Sequence, residues 1–452
     1  MQSDPYNGAP QSMPEQCNNP AKGLDSNFRA NVRRLEVGQT MNPTDRRESG
    51  NGTDTASFDL ARLDDRFFAD PYPTYAQLRR ETPILRLPDG GWLLTRHADL
   101  DAVYRDRVHY SADKQAAFGP KFGLGSPLFE HHTTSLVFSD PPYHTRVRRR
   151  IVSALTPAAI RGMLPALEAL VAELCETAVA RGGFDLVEDY AAAIPIEVIG
   201  NLLAVPRDER APLRGWSLAI LGALDPAPDA AALALGQRSV VEFLDYLRRL
   251  IAHRRAHPLG EQDLVTRLLA ADSAGECLSE HELLHNCIFL LNAGHETTTN
   301  LIANGLVTLL RRPSARARLV AQPELVPLAV EECLRFESPN QLGNRLVIAP
   351  VTVGGQTFAP GDYLTLAIGA ANRDPEVFVD PESFLLSRTP NPHLAFAAGG
   401  HACAGMSVAR LEGEVAIRAF LTRLPSAELA SDPIHQRRAR FRGLVSAPVV
   451  LR

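Results

Sequence analysis

The feature that most constrains this chain is a helical hydrophobic pattern that begins at Ser279 and runs without a proline or a clear stop as far as Pro313. Ser279 and Glu282 stand three apart, the spacing at which a serine side chain caps the N3 amide and the glutamate returns to the N-cap amide. At 1.5 Å per residue the segment is roughly 50 Å of helix, enough to cross a whole domain, so it has to pass through the core. Its middle runs against that setting: Ala293-Gly294-His295-Glu296-Thr297-Thr298 puts a glycine, an acid and hydroxyls where apolar residues belong. A helical glycine costs about 1 kcal/mol relative to alanine, and a core carboxylate costs more. Either this is a kink with threonine bonding back to the preceding turn, or a chemical task keeps those residues there.

The rest of the chain reads as mainly α with small segregated β-sheets. Residues 72–81, 157–181 (closed by Gly182-Gly183), 231–255 and 407–424 carry helical periods. Residues 92–95, 351–358 with Gly354-Gly355 as a two-residue hairpin turn, 363–367 and 443–451 read as strands. Residues 1–57 are polar, rich in Gly, Asn, Ser and Pro, and read as a disordered extension; 58–452 reads as one large domain. With 452 residues, 45% of them hydrophobic, the chain can bury a core that holds an interior ligand. A net charge of −5 implies no polyelectrolyte partner, so nucleic acid is not expected. The six cysteines, Cys17, Cys175, Cys277, Cys287, Cys333 and Cys403, form neither a CxxC pair nor a disulfide framework, which fits a reducing cytoplasm. No stretch reads as a signal peptide or a membrane span.

One of those cysteines stands apart. The run Phe396-Ala397-Ala398-Gly399-Gly400-His401-Ala402-Cys403-Ala404-Gly405 sets it in a loop of small residues just before a helix. Small residues let the backbone approach a flat, bulky ligand, and amides at a helix start favour the thiolate, the form that binds metal. A lone cysteine is more often a small buried hydrophobe; zinc lacks a second Cys or His pair at finger spacing, and the glycines match no phosphate-loop spacing. The run resembles the signature of the cytochrome P450 family, F-G-x-G-x-H-x-C-x-G, at Phe396, Gly399, His401, Cys403 and Gly405, with Ala397 where the family usually has glycine. Ala409-Arg410-Leu411-Glu412 resembles the family's next helix, and Glu332-Cys333-Leu334-Arg335 its E-x-x-R pair. The stretch from Asn372 to Phe384 is also similar, with Ser383 in place of a frequent arginine and Arg388 as the candidate to complete the network.

The resemblance, over residues 58–452, implies the cytochrome P450 fold, with a long central helix over the haem. It implies a haem-thiolate monooxygenase that inserts one atom of O2 into a small, largely apolar organic substrate, in secondary or specialised metabolism, and reduces the other atom to water. Haem b is the implied cofactor, with Cys403 as axial iron ligand, an anionic sulfur that favours O–O cleavage. Phe396 and Gly405 would shape the loop, Ala293 and Gly294 lie over the haem, Thr297 hydrogen-bond the activated oxygen and Glu296 relay protons to it. His144 and Arg148, i,i+4 at the start of a helix, can reach one anionic group. The resemblance makes that group a haem propionate, joined by Arg345 and His401, and makes Glu332 and Arg335 a structural ion pair. Asn292, His295, residues 341–344 and Val445 are implied pocket positions. Electrons would come from a ferredoxin or flavodoxin with an NAD(P)H-dependent reductase, with the basic run 146–150 as a docking surface. The competing readings are a peroxide-driven peroxygenase, against which Glu296 and Thr297 argue, and a non-catalytic haem sensor, which needs the thiolate but not the proton relay.

Overall fold

A computed structural model describes residues 58–258, 264–270 and 277–452; the expected extension 1–57 lies outside the described residues. The long pattern is a single helix, Glu280–Leu310. At its start Ser279 Oγ accepts from the Glu282 N–H at 3.2 Å, and Glu282 Oε2 accepts from the Ser279 N–H at 2.8 Å, closing the capping box. Two apolar clusters meet on this helix. Leu283, Leu284, Ile288 and Leu291 belong to one, with the helices Leu213–Gly222 and Ala230–Ala256. Leu301, Ile302, Leu306 and Leu309 belong to the other, with Pro157–Arg181, Val326–Phe336 and Met406–Arg423. The polar stretch around Glu296 therefore falls at the seam between two cores, where a helix can carry polar groups without opening either.

The strands are β1 (Ile84–Arg86), β2 (Trp92–Leu94), β3 (Tyr110–Ser111), β4 (Gly183–Asp185), β5 (Leu342–Val347), β6 (Val351–Val353), β7 (Gln356–Phe358), β8 (Tyr363–Ala367), β9 (Ala427–Leu429), β10 (Ile434–His435), β11 (Leu444–Ser446) and β12 (Pro448–Leu451). They form a five-stranded sheet in the order β1-β2-β8-β5-β3, a three-stranded sheet β4-β12-β9, and two pairs, β6-β7 and β10-β11. The β6–β7 hairpin turns on Gly354 and Gly355 at φ +58° and +85°, as a two-residue loop requires. The closing stretch 443–451 is two strands, not one. At Ala447 the chain leaves β10 for a place between β4 and β9; the Ala447 N–H donates to the Asp185 carboxylate and its carbonyl accepts from the Leu186 N–H. Among the described residues no helix is long and apolar enough to cross a membrane.

Candidate active site

Cys403 lies in the loop that leads into the helix Met406–Arg423, with Gly405 at its N-cap. The loop closes on itself: the Cys403 N–H donates to the Phe396 carbonyl at 2.9 Å, and the Ala402 N–H to that of Gly399 at 3.2 Å. A Cβ on Gly399 would sit 2.1 Å from the Tyr104 carbonyl oxygen, so only glycine lets the loop lie against the helix His97–Arg105. Ala397, the departure from the family signature, holds φ +54°, the left-handed region that favours glycine. Ala397→Gly is expected to raise the thermal midpoint slightly, the gain staying under about 1 kcal/mol because glycine loses more chain entropy on folding. A fall in the midpoint would mean that the methyl's packing against the neighbouring apolar cluster outweighs the strain. Burial pushes the Cys403 thiol pKa up, while the Gly405 N–H at the helix start, Arg148 and Arg410 act in the opposite direction, favouring the thiolate.

Beside the loop, basic groups crowd together. The rings of His144 and His401 are 3.9 Å apart, and His144 Nε2 is buried without a hydrogen-bond partner among the described residues. Arg148, one turn along the helix Tyr143–Ala154, is near enough to Cys403 to feel its charge. Arg345 on β5 donates to the Asn344 carbonyl at 2.7 Å and lies over the Tyr104 ring. Burial, and then Arg345, His144, Arg148 and Lys114, push His401 down to about 3. Neither Arg148 nor Arg345 forms an ion pair with a carboxylate among the described residues. A crowd of donors that includes an orphaned buried imidazole nitrogen fits a ligand bringing two carboxylates of its own, as haem does. The run 146–150, in contrast, is not a continuous surface patch: Arg146 pairs with Glu282, and the buried Arg150 donates to the Ala270 carbonyl.

On the central helix Ala293 is exposed and Thr297, one turn on, is partly exposed, so the two form an open face on a mostly buried rod. The Thr297 hydroxyl donates to the Ala293 carbonyl at 2.9 Å, the back-bond that a threonine kink would also make. Glu296, 1% exposed, is ion-paired with Arg438, whose Nε lies 3.6 Å from Asp225. Gly294 does not share the face of Ala293, because a helix turns by about 100° per residue. A Cβ on Gly294 would meet Ile199 Cδ1 at 2.5 Å, so the glycine, expected over the haem, lets the helix Ala193–Leu202 pack close. Of the pocket positions, Asn292 reaches His131 at 3.3 Å, Asn344 accepts from Arg440 at 2.9 Å, and Gln341 donates to the Ser338 carbonyl. Val445 is on β11. Burial, with Arg214, takes His295 down to about 3, so this ring is neutral.

Under the cysteine loop, Arg335 makes a two-pronged contact with Glu332, both bonds 2.8 Å, and donates to the carbonyls of Asn372, Pro381 and Ser383. Arg388 Nε bonds Glu332 at 3.1 Å, completing the network that the absent arginine at Ser383 left open. Arg410 grips Glu331 at 2.6 and 2.9 Å while lying over the Phe396 ring, which ties the loop to the same helix. Sequence reasoning missed Arg438 and Lys114. No local motif marks Arg438, whereas Lys114 is one of only three lysines in the chain, a signal that was there to read.

The family pattern described as Cytochrome P450 matches residues 233–445. The biotin biosynthesis cytochrome P450 of Bacillus subtilis (strain 168) is 34% identical over 397 residues, which cover 85% of this chain and 96% of that one. The polyketide biosynthesis cytochrome P450 PksS of the same organism is 33% identical over 398 residues, covering 85% of this chain and 96% of that one. Among solved structures, that of P450BioI in complex with hexadec-9Z-enoic acid ligated acyl carrier protein superposes with a TM-score of 0.80. It is 33% identical and covers 86% of this chain and all of that one.

Proposed function

The chain belongs to the cytochrome P450 family, a haem-thiolate monooxygenase carrying haem b, and on that premise we propose which of its residues do the work. Cys403 would hold the haem iron through its sulfur, and Phe396 and Gly405 would hold its loop. His144, Arg148, Arg345 and His401 hold the haem carboxylates. The observation that carries this reading is the unpartnered His144 Nε2 among basic side chains beside a single cysteine. When bound, haem supplies the activation of O2; the protein's part is to place the substrate, hold the cofactor and meter protons.

For the protons we assign Thr297 and Glu296. While the Thr297 hydroxyl donates to the Ala293 carbonyl, its lone pairs remain for a hydrogen bond from the open face, so it stabilises a protonated oxygen there. Glu296 is the acid that exchanges protons with that face, leaning on Arg438 between exchanges. Ala293 leaves space beside Thr297, and the neutral His295 takes no part. Thr297→Ala is expected to leave NAD(P)H consumption near the wild-type rate while product per electron pair falls roughly tenfold. Unchanged coupling would remove Thr297 from the mechanism.

Bacterial members of the family use separate redox partners, and we assign this chain a ferredoxin or flavodoxin with its NAD(P)H-dependent reductase, in the cytoplasm. Reconstituted turnover should depend on adding both proteins; NAD(P)H-driven turnover by the chain alone would refute this. The substrate is a small organic molecule of specialised metabolism, a reading supported by relatives named for biotin and polyketide biosynthesis.

A further inference from the structure

The chain has three lysines, Lys22, Lys114 and Lys121; its other Lys or Arg positions are all arginine. Two of the three, one buried and one half-buried, each feel the charge of Arg440. Lys114 is 2% exposed, and among the described residues its ammonium finds no hydrogen-bond partner, resting 4.5 Å from the centre of the Tyr363 ring. Lys121, partly buried, donates to the backbone carbonyl of Asp225 at 2.5 Å. The Arg440 guanidinium donates to Asn344 Oδ1 at 2.9 Å. Burial first, and Arg440 among the charges, lowers the pKa of both lysines, Lys121 to about 8.

None of these three cations forms an ion pair with a carboxylate among the described residues. Asp225 is the nearby acid: its carboxylate lies nearest Arg438, accepts from the Arg440 backbone N–H, and feels the charges of Lys121 and Arg440 without pairing with either. The haem carboxylates do not account for the surplus, because His144, Arg148, Arg345 and His401 already supply their donors. Asp225 is shared by Lys121, Arg440 and Arg438, and desolvated cations that outnumber the acid beside them are costly unless a ligand brings a further counter-charge. The family resemblance puts Asn344 among the expected pocket positions, and Asp225 lies in the turn between Leu213–Gly222 and Ala230–Ala256. Lysine suits a site shared with a guanidinium, since its compact ammonium reaches an oxyanion already forked by an arginine.

We propose that Arg440 and Lys121 form a receptor for a carboxylate on the substrate, with Asn344 orienting Arg440, so that the enzyme oxidises an organic acid with an apolar body. This rests on the monooxygenase reading of the site and narrows it to one substrate class. The test titrates the haem-loaded protein with octanoic, dodecanoic, hexadecanoic and abietic acids and with their methyl esters. Binding is read by the spin-state shift of the Soret band and by calorimetry. At least one acid is expected to bind roughly 30-fold or more tightly than its ester. That preference should fall to within about threefold in Arg440→Gln and in Lys121→Met, and should largely survive in Arg440→Lys, which keeps the charge. A wild-type protein with a normal carbon monoxide band that binds every acid and its ester alike overturns the proposal and leaves the haem assignment standing. A preference that survives both neutralising substitutions also overturns it. Absence of the carbon monoxide band would instead strike at the haem reading itself.

Discussion

Replacing Cys403 by alanine is expected to abolish the strongly red-shifted Soret band of the carbon monoxide complex of the dithionite-reduced protein. The substitution removes one sulfur and leaves the main-chain bond from residue 403 to the Phe396 carbonyl in place, so the fold should survive, as circular dichroism would show. No other described cysteine can stand in. Cys175 and Cys333 belong to one apolar cluster and Cys287 to the other, and burial raises the thiol pKa of Cys175 and Cys333. Cys277 is exposed, in the segment that leads into the central helix. Haem should also be retained poorly, because the basic side chains hold only its edge. A band at the wild-type position in Cys403→Ala would assign the iron to a different thiolate.

Glu332→Gln should be the most damaging single substitution to stability. The Glu332 and Arg335 side chains are both fully buried. The carboxylate accepts from Arg335, Arg388, the Leu385 N–H and Asn391, so every direction around it presents a donor. A glutamine there turns one of its two heads into a donor facing guanidinium donors and leaves two buried cations without a counter-charge. Breaking a buried pair in this way costs about 3–5 kcal/mol, a large share of the roughly 5–15 kcal/mol that holds a domain folded. The expected result is a steep fall in the midpoint of urea unfolding and little haem-loaded protein recovered. Arg335→Lys should be nearly as harmful, since an ammonium cannot fork onto Glu332 and also reach three carbonyls. A midpoint close to wild type in both variants would show that the network is dispensable.

Much of this arrangement was legible in the chain because local rules and tertiary needs agree. The central helix declares itself through Ser279, Glu282 and an unbroken apolar period, and the hairpin through Gly354-Gly355. The cysteine loop is equally plain, since Gly399 is demanded by an approach of the backbone to Tyr104. What escaped depends on direction rather than identity. Gly294 also lets Ile199 of a neighbouring helix approach closely, a contact that no local pattern registers. The split of 443–451 at Ala447 follows from Asp185, more than 200 residues away along the chain, which no local pattern registers. Arg438 reaches Glu296 from a segment without a motif, and the cations at Lys121 and Arg440 converge only after folding.

The contact between Gly399 and Tyr104 also bears on how the enzyme is made. The loop that carries the proposed iron ligand is shaped by an early segment of the chain, and between the two in sequence lie His144, the central helix and Arg345. On a ribosome these parts emerge in that order, the ligand last. His144, Arg148 and Arg345 therefore emerge well before His401 and Cys403. A newly made chain has to fold around its own late segment before the loop of Cys403 can take its shape against Tyr104.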